Sequence, residues 1–301
     1  ENPLGTASGM LFERPGGMTV SMPGVPYEME YIMEHGVVPA VHARMQQQGR
    51  QPKRAHLSLL TMGTGESQLA KTLGDMEGAL ENQGIKLAYL PSPGSVRIRL
   101  TAEGDAVHDL EKAHGEVLER LSEWVVSEVG LPVEEALGHC LVNQGQTLAV
   151  AESCTGGALG AALVARPGAS AFFMGGVQAY SNAAKENLLG VPIALIAQFG
   201  AVSEPVAVAM AQGAREKFGS DYGVSITGIA GPDGGSEDKP VGTVYMACDG
   251  PLGVLCVRHQ FGRDRTRNLA MAVRSAAQMA LQAALKWGVE SKPASRVADS
   301  L

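Results

Sequence analysis

The sequence has few cysteines, no long apolar run and no cluster of basic residues. No two of its four cysteines have Cys-x-x-Cys spacing, which excludes a zinc knuckle or a redox pair of that kind and predicts reduced thiols. No stretch of about 18 apolar residues occurs, and the first residues lack the basic start and apolar centre of a signal peptide. These absences predict a cytoplasmic protein without a membrane segment. The opening residues do not begin with methionine, and we expect the chain to start inside a longer parent.

Charge and composition narrow the function further. The 24 basic residues are outnumbered by 31 acidic ones, giving a net charge of −7. The basic residues form no long run, so direct binding of nucleic acid is not expected. A small, diffusible substrate is therefore favoured. Aromatic residues make up only 5% of the chain whereas glycine occurs 38 times, a combination typical of α/β enzymes with tight turns after buried strands.

The 301 residues exceed one ordinary domain, and punctuation by glycine and proline divides them. A Gly/Pro-rich loop with a short strand and a helix over 27–48 occupy residues 1–50. The segment 51–130 is a small α+β module, because strands and helices alternate at short spacing. We expect its elements at 56–62 (strand), 66–83 (helix), 86–90 and 95–101 (strands) and 105–126 (helix).

After Gly130 and Pro132, helices alternate regularly with short apolar strands, as a mostly parallel sheet with covering helices requires. The sequence therefore predicts a three-layer α/β/α domain over 131–290, followed by a flexible tail at 291–301. Its strands are expected at 147–151, 172–179, 222–227, 241–248 and 252–260, and its helices at 156–165, 182–189, 204–218 and 265–287. Ligands of such sheets bind beyond the carboxyl ends of the strands.

The first of these strand ends carries Ser153 in a turn that leads into a helix. A hydroxyl there is lifted out of the sheet and faces free N–H groups at the helix start. Two alternatives remain open: Ser153 or Thr155 caps the helix, or Cys154 is the nucleophile. Since adjacent residues leaving a strand point to opposite faces, at most one of Ser153 and Cys154 faces the cleft.

The second strand end places Lys185 in the first turns of a helix capped by Ser181 or Asn182. A lysine serves as the base for a serine only if burial or nearby positive charge leaves its amine neutral. The alternative is an ordinary solvated helix lysine, and Tyr180 is equally compatible with a packing role.

The third strand end is the glycine-rich stretch 225–235, whose backbone N–H groups could form a concavity for a phosphate. It lacks the Gly-Lys-Ser/Thr ending of a Walker loop, and a flexible hairpin loop is the alternative. Five residues are expected to contact a substrate from their position, backbone freedom or charge: Ser203, Thr227, Gly228, Gly231 and Arg263.

Five motifs then occur in an order that resembles the carboxy-terminal domain of the CinA family over residues 133–287. They are AESCTGG at 151–157, YSNAAK at 180–185, GAVSEP at 200–205, SITGIAGPDGG at 225–235 and KPVGT at 239–243. The resemblance implies an amidohydrolase that converts nicotinamide mononucleotide into nicotinic acid mononucleotide and ammonia, without a metal or other cofactor.

The resemblance also assigns roles to residues. Ser153 matches the nucleophile, Lys185 the general base, and Tyr180 the hydrogen-bonding partner of that base. N–H groups near Thr155 and Gly156 are expected to hold the oxyanion.

The segments before this domain resemble other parts of CinA proteins. The module 51–130 is similar to their KH-type domain, but Glu66 in Gly63-Thr64-Gly65-Glu66 would repel a phosphate, so a spacer or dimer contact is expected instead of RNA binding. Residues 1–50 resemble the end of a molybdopterin-binding-like domain. Most of that domain is missing, so no ADP-ribose pyrophosphatase activity is expected.

Two other functions stay open at this stage. One is a non-enzymatic competence or recombination adaptor that acts through a recombinase, and the other is hydrolysis of a different phosphorylated amide. A homo-oligomer is expected in each case.

Overall fold

A computed structural model describes residues 2–47 and 54–290, with side chains described up to residue 288. The predicted tail at 291–301 and the predicted domain boundary near residue 50 lie outside the described residues. The described residues form two compact units, one of residues 2–47, 54–55 and 103–107, the other of residues 56–102 and 108–290.

The first unit contains a β-hairpin and a helical segment. Strands β1 (Met10–Arg14) and β2 (Gly17–Ser21) pair antiparallel, so the opening has two strands where the sequence predicted one. Helices α1 (Pro26–Ile32) and α2 (Val38–Gln47) are joined by one π-helical turn.

The second unit begins with a four-stranded sheet in the order β4-β5-β3-β6. Its elements are β3 (Arg54–Met62), α3 (Glu66–Asn82), β4 (Ile85–Ser92), β5 (Ser95–Glu103), α4 (Leu110–Arg120) and β6 (Val125–Ser127). The predicted helix over 105–126 is wrong in extent, because a 3₁₀ segment precedes α4 and β6 follows it. Val125 and Val126 are β-branched and favour the extended chain.

The carboxy-terminal part builds a five-stranded sheet in the order β11-β10-β9-β7-β8. The strands are β7 (Leu148–Glu152), β8 (Phe173–Gln178), β9 (Tyr222–Gly228), β10 (Thr243–Gly250) and β11 (Gly253–Gln260). Strand β7 pairs parallel with β8 and β9, whereas β10 pairs antiparallel with β9 and β11. Four of these five strands therefore run in one direction, as predicted, and β10 runs opposite to them because β9, β10 and β11 follow one another without a crossover helix.

Helices cover both faces of this sheet, which confirms the three-layer α/β/α arrangement. They are α5 (Val133–Gln144), α6 (Ala158–Val164), α7 (Asn182–Leu189), α8 (Ile193–Phe199), α9 (Glu204–Phe218) and α10 (Arg265–Glu290). Two of them, α5 and α8, have no counterpart among the helix ranges predicted for this part of the chain. Among the described residues, no helix is both long and apolar enough to span a membrane.

Strand β7 shows how the two cores are divided. Leu148 and Val150 belong to one buried cluster with residues of α5, α6 and α10, while Ala149 and Ala151 belong to another with residues that follow β8. This alternation is the period of two expected for a strand buried on both faces. It also decides on which side the next residues of the chain emerge.

Candidate active site

Three parallel strands end at the same edge of the sheet, and the polar strand-end residues meet there. Glu152, the last residue of β7, pairs with Gln178 of β8 and with Ile226 of β9. The next residue, Ser153, donates its backbone N–H to the carbonyl oxygen of Ile226 at 2.9 Å. The turn after β7 is therefore held against the end of β9.

Ser153 and Cys154 leave this turn toward different environments. Cys154 is 8% exposed and joins the apolar cluster that contains Val150 and Leu159. Burial raises the pKa of the Cys154 thiol to about 11, and a backbone hydrogen bond and the positive charge of Arg265 oppose this shift. The thiol is thus a protonated core side chain near neutral pH, whereas Ser153 lies against the other layer of helices.

Lys185 reaches Ser153 from the first turns of α7. The helix is capped as predicted by Ser181, whose Oγ accepts a hydrogen bond from the N–H of Ala184 at 3.1 Å. Lys185 is 1% exposed, and its Nζ lies 3.0 Å from the Oγ of Ser153. The solvated-lysine alternative is therefore wrong for this structure.

The surroundings of Nζ suit both protonation states of the amine. Nζ donates to the carbonyl oxygens of Ala179 at 2.9 Å and of Tyr180 at 3.3 Å. An ammonium has three N–H donors for these two carbonyls and the Ser153 oxygen. A neutral amine has two N–H donors for the carbonyls and one lone pair, which can then accept the Ser153 proton. Burial lowers the pKa of Lys185 and favours this neutral form, although Cys154 acts in the opposite direction.

Tyr180 contacts Lys185 through its backbone and not through its phenol. The side chain is 67% exposed, and no hydrogen bond joins the phenol to Lys185. The neighbouring Ala179 is fully buried, so the alternation of the strand turns Tyr180 outward. The predicted partnership exists here as a carbonyl contact.

Glu152 is a buried residue of the site that the sequence analysis missed. It is 1% exposed, and its carboxylate accepts three backbone N–H groups at the start of α6. The donors are Gly157 at 3.2 Å and Leu159 at 3.0 Å, both to Oε2, and Gly160 at 2.8 Å to Oε1. The carboxylate thereby satisfies the N–H groups and the positive end of the helix that a substrate anion would otherwise use. An acidic residue immediately before the candidate nucleophile was the available signal.

The two predicted oxyanion donors differ in this structure. The N–H of Gly156 donates to the carbonyl oxygen of Ser153 at 3.1 Å. The N–H of Thr155 has no acceptor within the described part of the chain, and its buried Oγ1 is also without a partner there. Of the two residues, Thr155 is therefore the one whose backbone N–H and hydroxyl remain available to a substrate oxyanion.

Ser203 and Thr227 are buried beside the site, with their hydroxyls bound to one loop. Ser203 Oγ donates to the carbonyl oxygen of Gly200 at 2.8 Å, and Thr227 Oγ1 donates to that of Ala201 at 2.9 Å. Both hydroxyls retain acceptor capacity, but their donated hydrogen bonds fix the loop between α8 and α9.

The predicted glycine contacts have packing reasons of their own. A Cβ at Gly228 would lie 2.7 Å from the Val244 side chain, and one at Gly231 would lie 2.6 Å from Val241. Gly231 also has a φ of +92°, which favours glycine. At both positions, the atoms that approach the glycine closely belong to neighbouring side chains of the protein.

Arg265 and Asn268 hold the glycine-rich loop, a role that the sequence analysis did not assign. Arg265 Nη1 donates to the carbonyl oxygen of Gly231 at 2.8 Å, and buried Asn268 Nδ2 donates to that of Ala230 at 3.0 Å. Arg263, which was expected to contact the substrate, is exposed and without a hydrogen bond among the described residues. A polar face on the first turn of α10 was the signal for these tethers.

Two family models match nearly all of the second unit. The CinA carboxy-terminal domain matches residues 131–284, about half of the chain, and the KH domain of damage-inducible protein CinA matches residues 56–129.

Similar proteins carry the same family name. A CinA-like protein of Salinibacter ruber is 41% identical over 93% of this chain and 68% of its own length. A CinA-like protein of Cytophaga hutchinsonii is 40% identical over 90% of this chain and 64% of its own length. The crystal structure of a CinA superfamily protein from Klebsiella pneumoniae is 35% identical and covers 52% of this chain and 97% of that chain, with a TM-score of 0.50. The chain thus spans about two thirds of the length of the Salinibacter ruber and Cytophaga hutchinsonii proteins.

Proposed function

The chain belongs to the CinA family, and from this premise we propose that its carboxy-terminal domain is an amidohydrolase acting on nicotinamide mononucleotide. The products would be nicotinic acid mononucleotide and ammonia. The observation that carries the proposal is the 3.0 Å contact between buried Lys185 Nζ and Ser153 Oγ.

The first half of the reaction follows from this contact. Neutral Lys185 takes the proton of the Ser153 hydroxyl, and the resulting alkoxide attacks the carboxamide carbon. The N–H of Thr155 is placed in the turn beside Ser153 and is the proposed donor to the oxyanion. Protonated Lys185 then gives its proton to the departing nitrogen, so that the carbon–nitrogen bond breaks with release of ammonia and leaves an acyl group on Ser153.

The second half repeats the same proton transfers with water. Lys185 accepts a proton from water, which attacks the acyl carbon. As the bond from the acyl carbon to the Ser153 oxygen breaks, Lys185 returns that proton to Ser153, which frees the carboxylic acid and restores the serine hydroxyl and the neutral amine. The positively charged pyridinium of the substrate disfavours a second positive charge on Lys185 and would help to keep the amine neutral.

The phosphate of the substrate needs a partner other than the start of α6, because Glu152 occupies those N–H groups. We assign this role to the glycine-rich loop and the residues that lead into α10. Arg263 is exposed there with its guanidinium donors available, and arginine suits phosphate well.

The proposal is tested by measuring ammonia release from nicotinamide mononucleotide. Wild type, Ser153→Ala, Lys185→Ala and Cys154→Ala would be compared, with the folding of each checked by circular dichroism. We expect release by wild type and Cys154→Ala, and loss of about a thousandfold in the other two.

The outcomes separate the competing functions. Wild-type protein that leaves the substrate intact would contradict the proposal, and parallel trials with other phosphorylated amides would then separate another amidohydrolase from an adaptor. Full activity of Ser153→Ala would contradict the Ser/Lys mechanism alone.

A further inference from the structure

A cavity of about 880 Å³ lies in the second unit, and Ser153 is not among the residues that line it. It is lined on one side by β3, β4 and β5, and on the other by α5, the end of α6 and the loop before β8. That loop, 165–172, precedes a parallel strand, whereas Ser153 follows one. The cavity is therefore at the opposite edge of the carboxy-terminal sheet, and none of the proposed catalytic residues lines it.

The wall formed by the four-stranded sheet follows from strand alternation. Val96, Ile98 and Leu100 of β5 are buried on one face, so Arg97 points to the other face. Leu90 is the cross-strand partner of Arg97, and both line the cavity.

Apolar side chains form much of the remaining lining. Met62, Val133, Leu163 and Phe172 line the cavity and also belong to the main core cluster. Leu90 is nevertheless 38% exposed, which is high for a leucine set between two packed layers. The volume lies within the range of about 300–1,000 Å³ that is usual for small-molecule sites, and the lining suits an apolar group.

The charged side chains that line the cavity include positive charge that no carboxylate neutralises. Arg166 pairs with Glu135 at 3.5 Å. Glu134 lies in the first turn of α5, where the helix dipole favours a carboxylate. Arg274 donates one N–H to the carbonyl oxygen of Pro93. Half-buried Arg97 makes no ion pair or hydrogen bond with any described residue, so its guanidinium can take an anion. The remaining titratable group is exposed His139.

We propose that this cavity binds a small amphipathic anion, with an apolar ring body between the two layers and one sulfonate, carboxylate or phosphate on Arg97. The site is independent of the proposed amidohydrolase reaction. Its test is a binding measurement, so either proposal can fail without the other.

The probe for this test is 8-anilinonaphthalene-1-sulfonate, which joins apolar rings to one anion and fluoresces when its rings leave water. Wild type, Arg97→Gln, Arg97→Lys and Arg99→Gln would be titrated in the full chain, with folding checked by circular dichroism. Arg99 is the matched control, because it lies on the same strand, is exposed and does not line the cavity. The neutral analogue N-phenyl-1-naphthylamine measures the contribution of the anion.

We expect Arg97→Gln to weaken sulfonate binding about tenfold, the loss of roughly one charge-assisted hydrogen bond. Arg99→Gln should bind like wild type, Arg97→Lys should recover part of the affinity, and the neutral analogue should not distinguish wild type from Arg97→Gln. Equal binding of the sulfonate to Arg97→Gln and Arg99→Gln overturns the proposal. An equal loss with the neutral analogue overturns the assignment of the anion to Arg97.

Discussion

Two strand-to-helix turns of this chain look similar in sequence and differ in their surroundings. The turn from β3 to α3 reads Gly63-Thr64-Gly65 and is followed by Glu66, which is exposed and makes no cap. The turn from β7 to α6 is also rich in glycine, but its acidic residue, Glu152, is buried and accepts three helix N–H groups. Glycine content alone therefore does not distinguish a reactive turn from a connecting one.

The neighbouring strands account for much of the difference. Strand β7 lies between two parallel strands, so three strand ends and their following residues meet at one edge. Strand β3 pairs antiparallel with β6, so the end of β3 lies beside the beginning of that neighbour. The parallel arrangement brings Lys185 to Ser153, and no comparable lysine contact is described at Thr64.

The largest expected difference between the two turns is in catalysis. Ser153→Ala and Lys185→Met should each lower kcat/KM for nicotinamide mononucleotide about a thousandfold, and the double variant should lose no more than either single variant. The matched pair Thr64→Ala and Lys71→Met, on the β3 turn and its helix, should change kcat/KM less than about twofold. Losses that multiply in the double variant would show that the two residues do not act as one unit.

A smaller difference is expected in stability. Glu152→Gln removes the charge that accepts three N–H groups and should lower the free energy of unfolding by about 2 kcal/mol. Glu66→Gln, on the exposed turn, should stay within about 0.5 kcal/mol of wild type. Urea unfolding followed by circular dichroism measures both, and equal effects would remove the proposed distinction between the turns.

The smallest expected effect is the pH dependence that buried Lys185 adds to stability. Its pKa in the folded protein is lowered by burial, so in the window between that value and the ordinary lysine value of about 10.4 the unfolded chain binds more protons. The free energy of unfolding of wild type, relative to Lys185→Met, should therefore rise with pH in this window by at most about 1.4 kcal/mol per pH unit.

Denaturant unfolding of both proteins across this pH range checks the slope. Lys71→Met controls for the loss of one exposed positive charge. A difference that falls as pH rises would contradict the direction of the pKa shift.

The sequence predicted the features of the site that depend on short-range rules. Alternation along β7 correctly separated Ser153 from Cys154, because the period of two continues into the turn. The N-cap at Ser181 was also predictable, since its hydroxyl binds an N–H only three residues away.

Other features depend on contacts between distant segments, which local patterns do not encode. The tethering of the glycine-rich loop by Arg265 depends on how α10 is placed in the fold. The antiparallel pairing of β10 was missed because a buried strand has the same apolar pattern in either direction.

The closeness of Ser153 and Lys185 along the chain has a consequence for folding. Both residues belong to one β-α-β crossover and its following helix, 148–189, and are separated by 32 positions. The contact between Ser153 and Lys185 closes a shorter loop of chain than the contact between β7 and β9. Since the entropy cost of closing a loop grows with the logarithm of its length, the first contact costs less entropy than the second. The residues expected to recognise the substrate, from Ser203 to Arg263, come from later segments. Insertions and deletions in those later segments therefore leave unchanged the length of chain that joins Ser153 to Lys185.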